Sequence, residues 1–251
     1  TIYTGDNIMI KKVFIICSVC LLLGVTFTFM WQIARDPAIR PEMEYETGKG
    51  YGTTIKQKDR IPEIVTEKVE SINRIYISPS NCRPSPGVIE SIEDADVIII
   101  GPGSLYTNVL PNLLVKNVSK AIRDSKALKF YISNIMTEPG QTDNYTLSDH
   151  IKAIQEHVGT GVVDYCLADT GEVIPEYIRK YNKEGSDLVE VDTKKLNSYN
   201  VKVIQRNMSC VKNDKIRHNP DIIAATIIEM ICNDLNVLRK YLIKLQYSEI
   251  F

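Results

Sequence analysis

Asp96-Val-Ile-Ile-Ile-Gly-Pro-Gly-Ser-Leu-Tyr-Thr-Asn108 is the stretch that decides the fold. Its first half is an unbroken β-branched apolar run, the pattern of a strand buried on both faces rather than one with a wet side. Such a strand needs parallel neighbours and helices over both faces, and the flanking sequence supplies them. Upstream, Arg74–Ser78 reads as a strand and Gly87–Ala95 as a short helix opened by Pro84-Ser-Pro86. Downstream the spacing predicts helices over Asn112–Ser125, Thr146–Val158, Pro175–Glu184 and Pro220–Leu242. Between them it predicts strands at Lys129–Ser133, Gly161–Leu167, Leu188–Val191 and Val201–Ile204. Alternation at these lengths specifies an α/β, doubly wound, mostly parallel Rossmann-like sheet with right-handed crossovers.

The chain carries 30 Lys+Arg against 31 Asp+Glu, so no global field gathers polyanions, and no local basic stripe appears; nucleic acid is excluded as a partner. The six cysteines are too scattered for a disulfide framework or a tetrahedral zinc site, which points to a reduced, intracellular setting. The N-terminus differs in kind. Val13–Ala34 is 22 residues without a charge, flanked by Lys11-Lys12 and Arg35, long enough to cross ~30 Å of hydrocarbon as a helix. It exceeds a signal-peptide core and no small-residue cleavage site follows, so the reading is a membrane anchor. The organisation expected is therefore a segment 1–36 containing the span 13–34, then an α/β domain over 37–251. Within the latter, Met43–Tyr45 and Tyr51–Thr54 flank Gly48-Lys-Gly50 as a hairpin, not as a phosphate loop, since no buried strand precedes the glycines.

Open α/β sheets bind ligands beyond the carboxyl ends of their strands, so the loops there are searched for chemistry. In the first loop, Gly101 and Gly103 permit close backbone approach, Ser104 and Thr107 add hydroxyls suited to an oxygen-rich anion, and Tyr106 lies between them. The order Gly-x-Ser-x-Gly is absent, so Ser104 is not a hydrolase nucleophile. The second loop follows Lys129–Ser133, is long for its type, and contributes Asn134, Thr137, Gly140 and Thr142 to the same crevice. Its acids Glu138, Asp143 and Asp149 are the nearby candidates for a divalent cation, and equally a solvated surface. His150, His157 and His218 lack carboxylate or cysteine neighbours at ligand spacing and read as surface or capped histidines.

Together the two loops, with Ser148-Asp-His150, Ile174-Pro-Glu-Tyr-Ile-Arg-Lys-Tyr181 and Asn213-Asp-Lys-Ile-Arg-His218, resemble the YvcK-like gluconeogenesis factors of the CofD-like superfamily. The resemblance runs from about Tyr45 through the C-terminal helix. It implies a cytoplasmic regulator of cell shape and cell-wall synthesis during gluconeogenic growth. The implied ligand is UDP-N-acetylglucosamine or a related UDP-sugar; a protein partner and a homo-oligomer are compatible with it, and neither a cofactor nor a metal is implied. No turnover is expected. The alternative is a nucleotide-dependent transferase resembling 2-phospho-L-lactate transferase. The resemblance also places Tyr181 and Arg217 at the ligand, where Tyr181 offers a flat face and a hydroxyl and Arg217, in the loop after the last strand, can fork onto a diphosphate.

One departure is large. The family's opening Gly-Gly-Gly-Thr-Gly phosphate turn and its Asp-Asp-Gly-Gly-Ser-Ser segment are missing, so the chain reads as a member without its N-terminal nucleotide-binding half. Only one wall of the crevice is then expected, with weakened UDP-sugar binding and an exposed apolar edge along Asp96–Ile100.

Overall fold

The computed structural model describes residues 72–233 in full, together with the backbone of five strands before them. A short antiparallel pair, β1 (Ile2–Thr4) and β2 (Ile8–Ile10), precedes β3 (Val13–Ile16). Next come β4 (Glu42–Thr47), β5 (Thr54–Ile55) and β6 (Ile72–Ser78), which form a separate three-stranded antiparallel sheet in the order β5-β4-β6. The expected hairpin is the β4–β5 pair, with Tyr45 opposite Ile55 and Glu46 opposite Thr54. From there the chain alternates as α1 (Val88–Glu93), β7 (Val97–Ile100), α2 (Leu110–Leu114), α3 (Val118–Asp124), β8 (Leu128–Ile132), α4 (Leu147–Val158) and β9 (Tyr165–Asp169). It closes with α5 (Pro175–Lys183), α6 (Thr193–Leu196), β10 (Lys202–Arg206), β11 (Ser209–Lys212), β12 (Lys215–His218) and α7, a helix described over 220–233.

The main sheet has five strands in the order β10-β9-β8-β7-β3, every pair parallel. Alternate residues of β7 enter two different cores: Ile98 and Ile100 pack with Tyr131, Cys166 and the residues of α1 to α4, while Val97 and Ile99 pack with Phe130, Leu167 and α7. In α7, Ile223, Ile227 and Ile231 recur at four-residue spacing and lay one apolar stripe on the second face. Both faces of β7 are therefore dry, as its uninterrupted apolar run requires. Helix α4 begins at a capping box in which Thr146 and Asp149 satisfy each other's backbone donors, and it stops at Gly159 with φ of 85°.

Several expectations are corrected. Val13–Ile16, the start of the expected membrane helix, is a strand whose backbone pairs with Val97–Ile100, Val13 opposite Val97. A short apolar run satisfies its amides equally well in a buried strand or in a helix, and periodicity cannot separate the two. No helix among the described residues is long and apolar enough to cross a membrane; residues 17–34 of the expected span lie outside the described residues. The same pairing covers the edge of β7 that was expected to be exposed. Ile72–Ser78 belongs to the small antiparallel sheet rather than the parallel one. The helix expected over Asn112–Ser125 is two helices broken at Val115, which is extended, and Asn117, which is left-handed. Leu188–Val191 makes only an isolated bridge, Leu188 to Met136, and is not a strand. Finally, Ser209–His218 folds as an antiparallel hairpin around Asn213 and Asp214, whose φ values of 52° and 61° fit a tight two-residue turn.

Candidate functional site at the carboxyl ends of the parallel strands

At the end of β7, Gly101 has φ of 86°, and a Cβ there would lie 2.9 Å from the carbonyl oxygen of Ile132 at the end of β8. Glycine is demanded by the neighbouring strand itself. Gly103 is under no such strain; its Cβ would touch Asn108 Cβ at 3.3 Å. The Ser104 carbonyl accepts from the amides of Asn108 and Val109 at 2.9 and 3.0 Å, winding the next residues into a π-turn, Leu105–Val109. That turn carries Tyr106 inward, where it is 2% exposed, its hydroxyl 2.6 Å from that of Tyr145 and 3.4 Å from the Ile72 carbonyl. Burial pushes its pKa far up. Tyr106 therefore has no surface to offer a ligand, whereas Ser104 and Thr107 remain half-buried at the rim.

The second loop is fastened by its own hydroxyls. Thr137 Oγ1 accepts from the Asp187 amide at 2.8 Å, and Thr142 Oγ1 accepts from the Glu138 amide at 2.8 Å. Gly140, with φ of 73°, donates its amide to Asp143 at 2.8 Å. Both threonines are buried, so they hold the loop's shape instead of facing solvent. Of the acids considered for a cation, Asp143 is spent on that turn and Asp149 on the cap of α4. Among the described residues no group of three or more metal-binding side chains converges.

Glu138 is the group the sequence undervalued. Its Oε1 accepts from Ser104 Oγ at 2.8 Å and from Asn134 Nδ2 at 3.2 Å, drawing the β7 and β8 loops onto one carboxylate. No spacing rule marks it in the sequence, because the loop of residues 134–142 is not helical and Ser104 comes from the other loop. Asn134 is 8% exposed, and its Oδ1 is buried without a hydrogen-bond donor. The Tyr131 hydroxyl is likewise buried without a partner; burial, then Cys166 and Glu138, drive its pKa up.

Tyr181, on α5, reaches the terminal hairpin that carries Arg217. Tyr181 Oη accepts from the Ile216 amide at 3.2 Å, the residue next to Arg217. Arg217 lies in β12, not in a loop, opposite Cys210; it is exposed while Ile216 before it is buried. The hairpin is secured across two strand ends. His218 Nε2 donates to the Ser133 carbonyl at 2.9 Å, just past β8, and Asp169 at the end of β9 accepts from the Met208 amide at 2.7 Å. His218 is held neutral: burial lowers its pKa and Arg217 adds to the effect, against the opposing pull of Ser133 and Asp169. Arg217 is thus tied, one residue away, to the strand end from which Asn134 and Glu138 emerge. The other two histidines are not at the surface either. His150 sits in the core with Nδ1 donating to the Thr146 carbonyl, and His157 Nε2 accepts from the Ile75 amide at 3.1 Å, pinning β6 to α4.

A parallel sheet flanked by helices, with glycine-turned loops at its carboxyl ends, defines a Rossmann-like α/β protein, and comparison with known proteins gives the family. Residues 37–209 match the family model described as 2-phospho-L-lactate transferase CofD, and the chain belongs to that family. Its similarity within the family is to gluconeogenesis factors: 37% identity over 180 residues to that of Bacillus subtilis, covering 72% of this chain and 56% of the relative. The gluconeogenesis factor of Halalkalibacterium halodurans is 42% identical over 179 residues, covering 71% of this chain and 54% of the relative. A crystal structure of a UPF0052 family member from Bacillus halodurans superposes with a TM-score of 0.70 at 38% identity, covering 75% of this chain and 59% of that one. The chain therefore spans little more than half the length of these relatives.

Proposed function

We propose that the chain binds a nucleotide sugar, UDP-N-acetylglucosamine or a close relative, and acts through that binding as a regulator of cell shape and cell-wall synthesis during gluconeogenic growth, not as an enzyme. The observation that carries the reading is the pairing of Tyr181 with the strand bearing Arg217. The Tyr181 hydroxyl accepts from the Ile216 amide, and Arg217, the next residue along the strand, is exposed. Arginine in such a setting grips a diphosphate with two parallel hydrogen bonds, and tyrosine packs on a base or sugar. The relatives' name, gluconeogenesis factor, supports the physiological setting.

The deciding experiment is ligand-observed saturation-transfer NMR on the full chain, which detects complexes into the millimolar range. UDP-N-acetylglucosamine should give transfer that Arg217→Ala removes. The family model's own description keeps a transferase reading alive, and the GDP arm addresses it. Transfer to GDP and none to the UDP-sugar would replace the regulatory reading with the transferase.

A further inference from the structure

We infer that the open cavity between the starts of α1 and α3 is a binding site for a small phosphate monoester. The cavity measures about 330 Å³, within the range of small-molecule sites and far beyond the room a single water needs. Its lining comes from two stretches of chain, 83–90 and 116–117, and shares no residue with the strand-end loops, with Tyr181 or with Arg217.

The walls are set by the fold. The Cys82 carbonyl accepts from the Lys116 amide at 3.1 Å, joining the two stretches backbone to backbone. Farther along, the Ser125 hydroxyl after α3 donates to the Ile92 carbonyl of α1 at 3.2 Å, and Val88, Ile92, Val118 and Ile122 of the two helices share one core. Pro84 and Pro86 each fix a backbone torsion on one wall. A cavity shaped in advance gives up little conformational freedom on binding.

The lining charges select the ligand. Arg83 and Lys116, both exposed, bring one cation from each stretch, against the single carboxylate of Glu90. A guanidinium takes two oxygens in a fork and an ammonium a third as a point charge, a division that suits a phosphate dianion. The rings of Pro84 and Pro86 and the side chain of Ile89 offer no hydrogen bond and fit a short carbon skeleton, while the half-buried Ser85 hydroxyl can serve a hydroxyl on it. Inorganic phosphate would satisfy the charged part alone.

The test titrates the full chain with glycerol 3-phosphate, inorganic phosphate and glycerol, following the amide NMR signals of Ser85 and Ile89. Glycerol 3-phosphate should shift them saturably and at lower concentration than phosphate, and glycerol should not shift them. Arg83→Ala and Lys116→Ala should each weaken the ester roughly tenfold, the scale of one lost charge-assisted hydrogen bond. Glu90→Gln should tighten it, an effect a merely structural residue would not give, and Arg217→Ala should leave it unchanged. All four side chains are exposed, so thermal melting should stay at the wild-type value. No saturable shift in the wild type, or unchanged affinity in both cation variants, overturns the proposal. So does a loss in Arg217→Ala, which would put the phosphate at the hairpin.

Discussion

Replacing Gly101 with alanine should damage the fold far more than the same change two residues later. At Gly101 two costs coincide. A φ of 86° is open to glycine but costs an L-residue about 1–2 kcal/mol. The added methyl would also lie 2.9 Å from the Ile132 carbonyl oxygen, a backbone atom in the sheet's centre that cannot swing aside. Relieving that overlap means displacing the end of β8 or β7, at about 1–3 kcal/mol. The sum is about 2–5 kcal/mol. At Gly103 the φ is not in the left-handed region and the nearest atom, Asn108 Cβ at 3.3 Å, belongs to a half-buried side chain able to give by a few tenths of an ångström. That change should stay within about 1 kcal/mol. Urea denaturation of the two variants beside wild type measures the difference. A Gly101→Ala protein within about 0.5 kcal/mol of wild type would refute the steric argument and return Gly101 to a purely ligand-facing role.

Other outcomes follow from the same geometry. His150, His157 and His218 are all held neutral, burial being the first cause in each, so their folded pKa values lie below the unfolded one. The unfolded chain then binds protons the folded chain does not, and stability present above about pH 6.5 is lost as pH falls below it, by up to about 1.4 kcal/mol per pH unit for each histidine. Denaturation midpoints at pH 7.5 and 5.5 should show this, and His150→Phe should flatten the slope. Asp192 accepts from the Ser148 amide and from the Thr146 hydroxyl at 2.9 and 3.0 Å. Burial opposes these bonds but they prevail, holding its carboxyl below the usual range. Asp192→Asn should therefore cost about 1–2 kcal/mol at neutral pH and progressively less as pH drops through the carboxylate range, read as a converging pair of melting curves. Arg217→Ala, by contrast, removes an exposed side chain and should leave thermal melting within about 0.5 kcal/mol of wild type while weakening UDP-sugar binding at least tenfold.

The fold was legible where one physical cause dominated. The run Val97–Ile100 could only be a strand dry on both faces, and α4 announced itself through Thr146 and the spacing of Ile151 and Ile154. Reading failed where two structures satisfy the same pattern. Val13–Ile16 begins an apolar stretch of helical length, yet its four residues complete a sheet edge, a fact fixed by the partner strand and not by its own composition. Ile72–Ser78 looked like one more parallel strand because local sequence does not encode which sheet a strand joins. Within the site, residue types suggested donors, and three of the hydroxyls, those of Ser104, Thr137 and Thr142, instead serve Glu138 and loop amides. A hydroxyl's choice of partner depends on what the second loop brings beside it, and that is decided in three dimensions.

The terminal hairpin fixes where Arg217 stands. Because β11 and β12 are bonded to the ends of β8 and β9 through His218 and Asp169, Arg217 is indexed to the sheet as a gauge block is to a bench. The backbone on which Arg217 stands is thus fixed on folding, and only its side chain stays free to turn. Lengthening the Asn213-Asp214 turn would leave that alignment untouched, whereas slipping β12 by one residue against β11 would turn Arg217 inward and Ile216 outward, exchanging a charge for a core side chain in a single step.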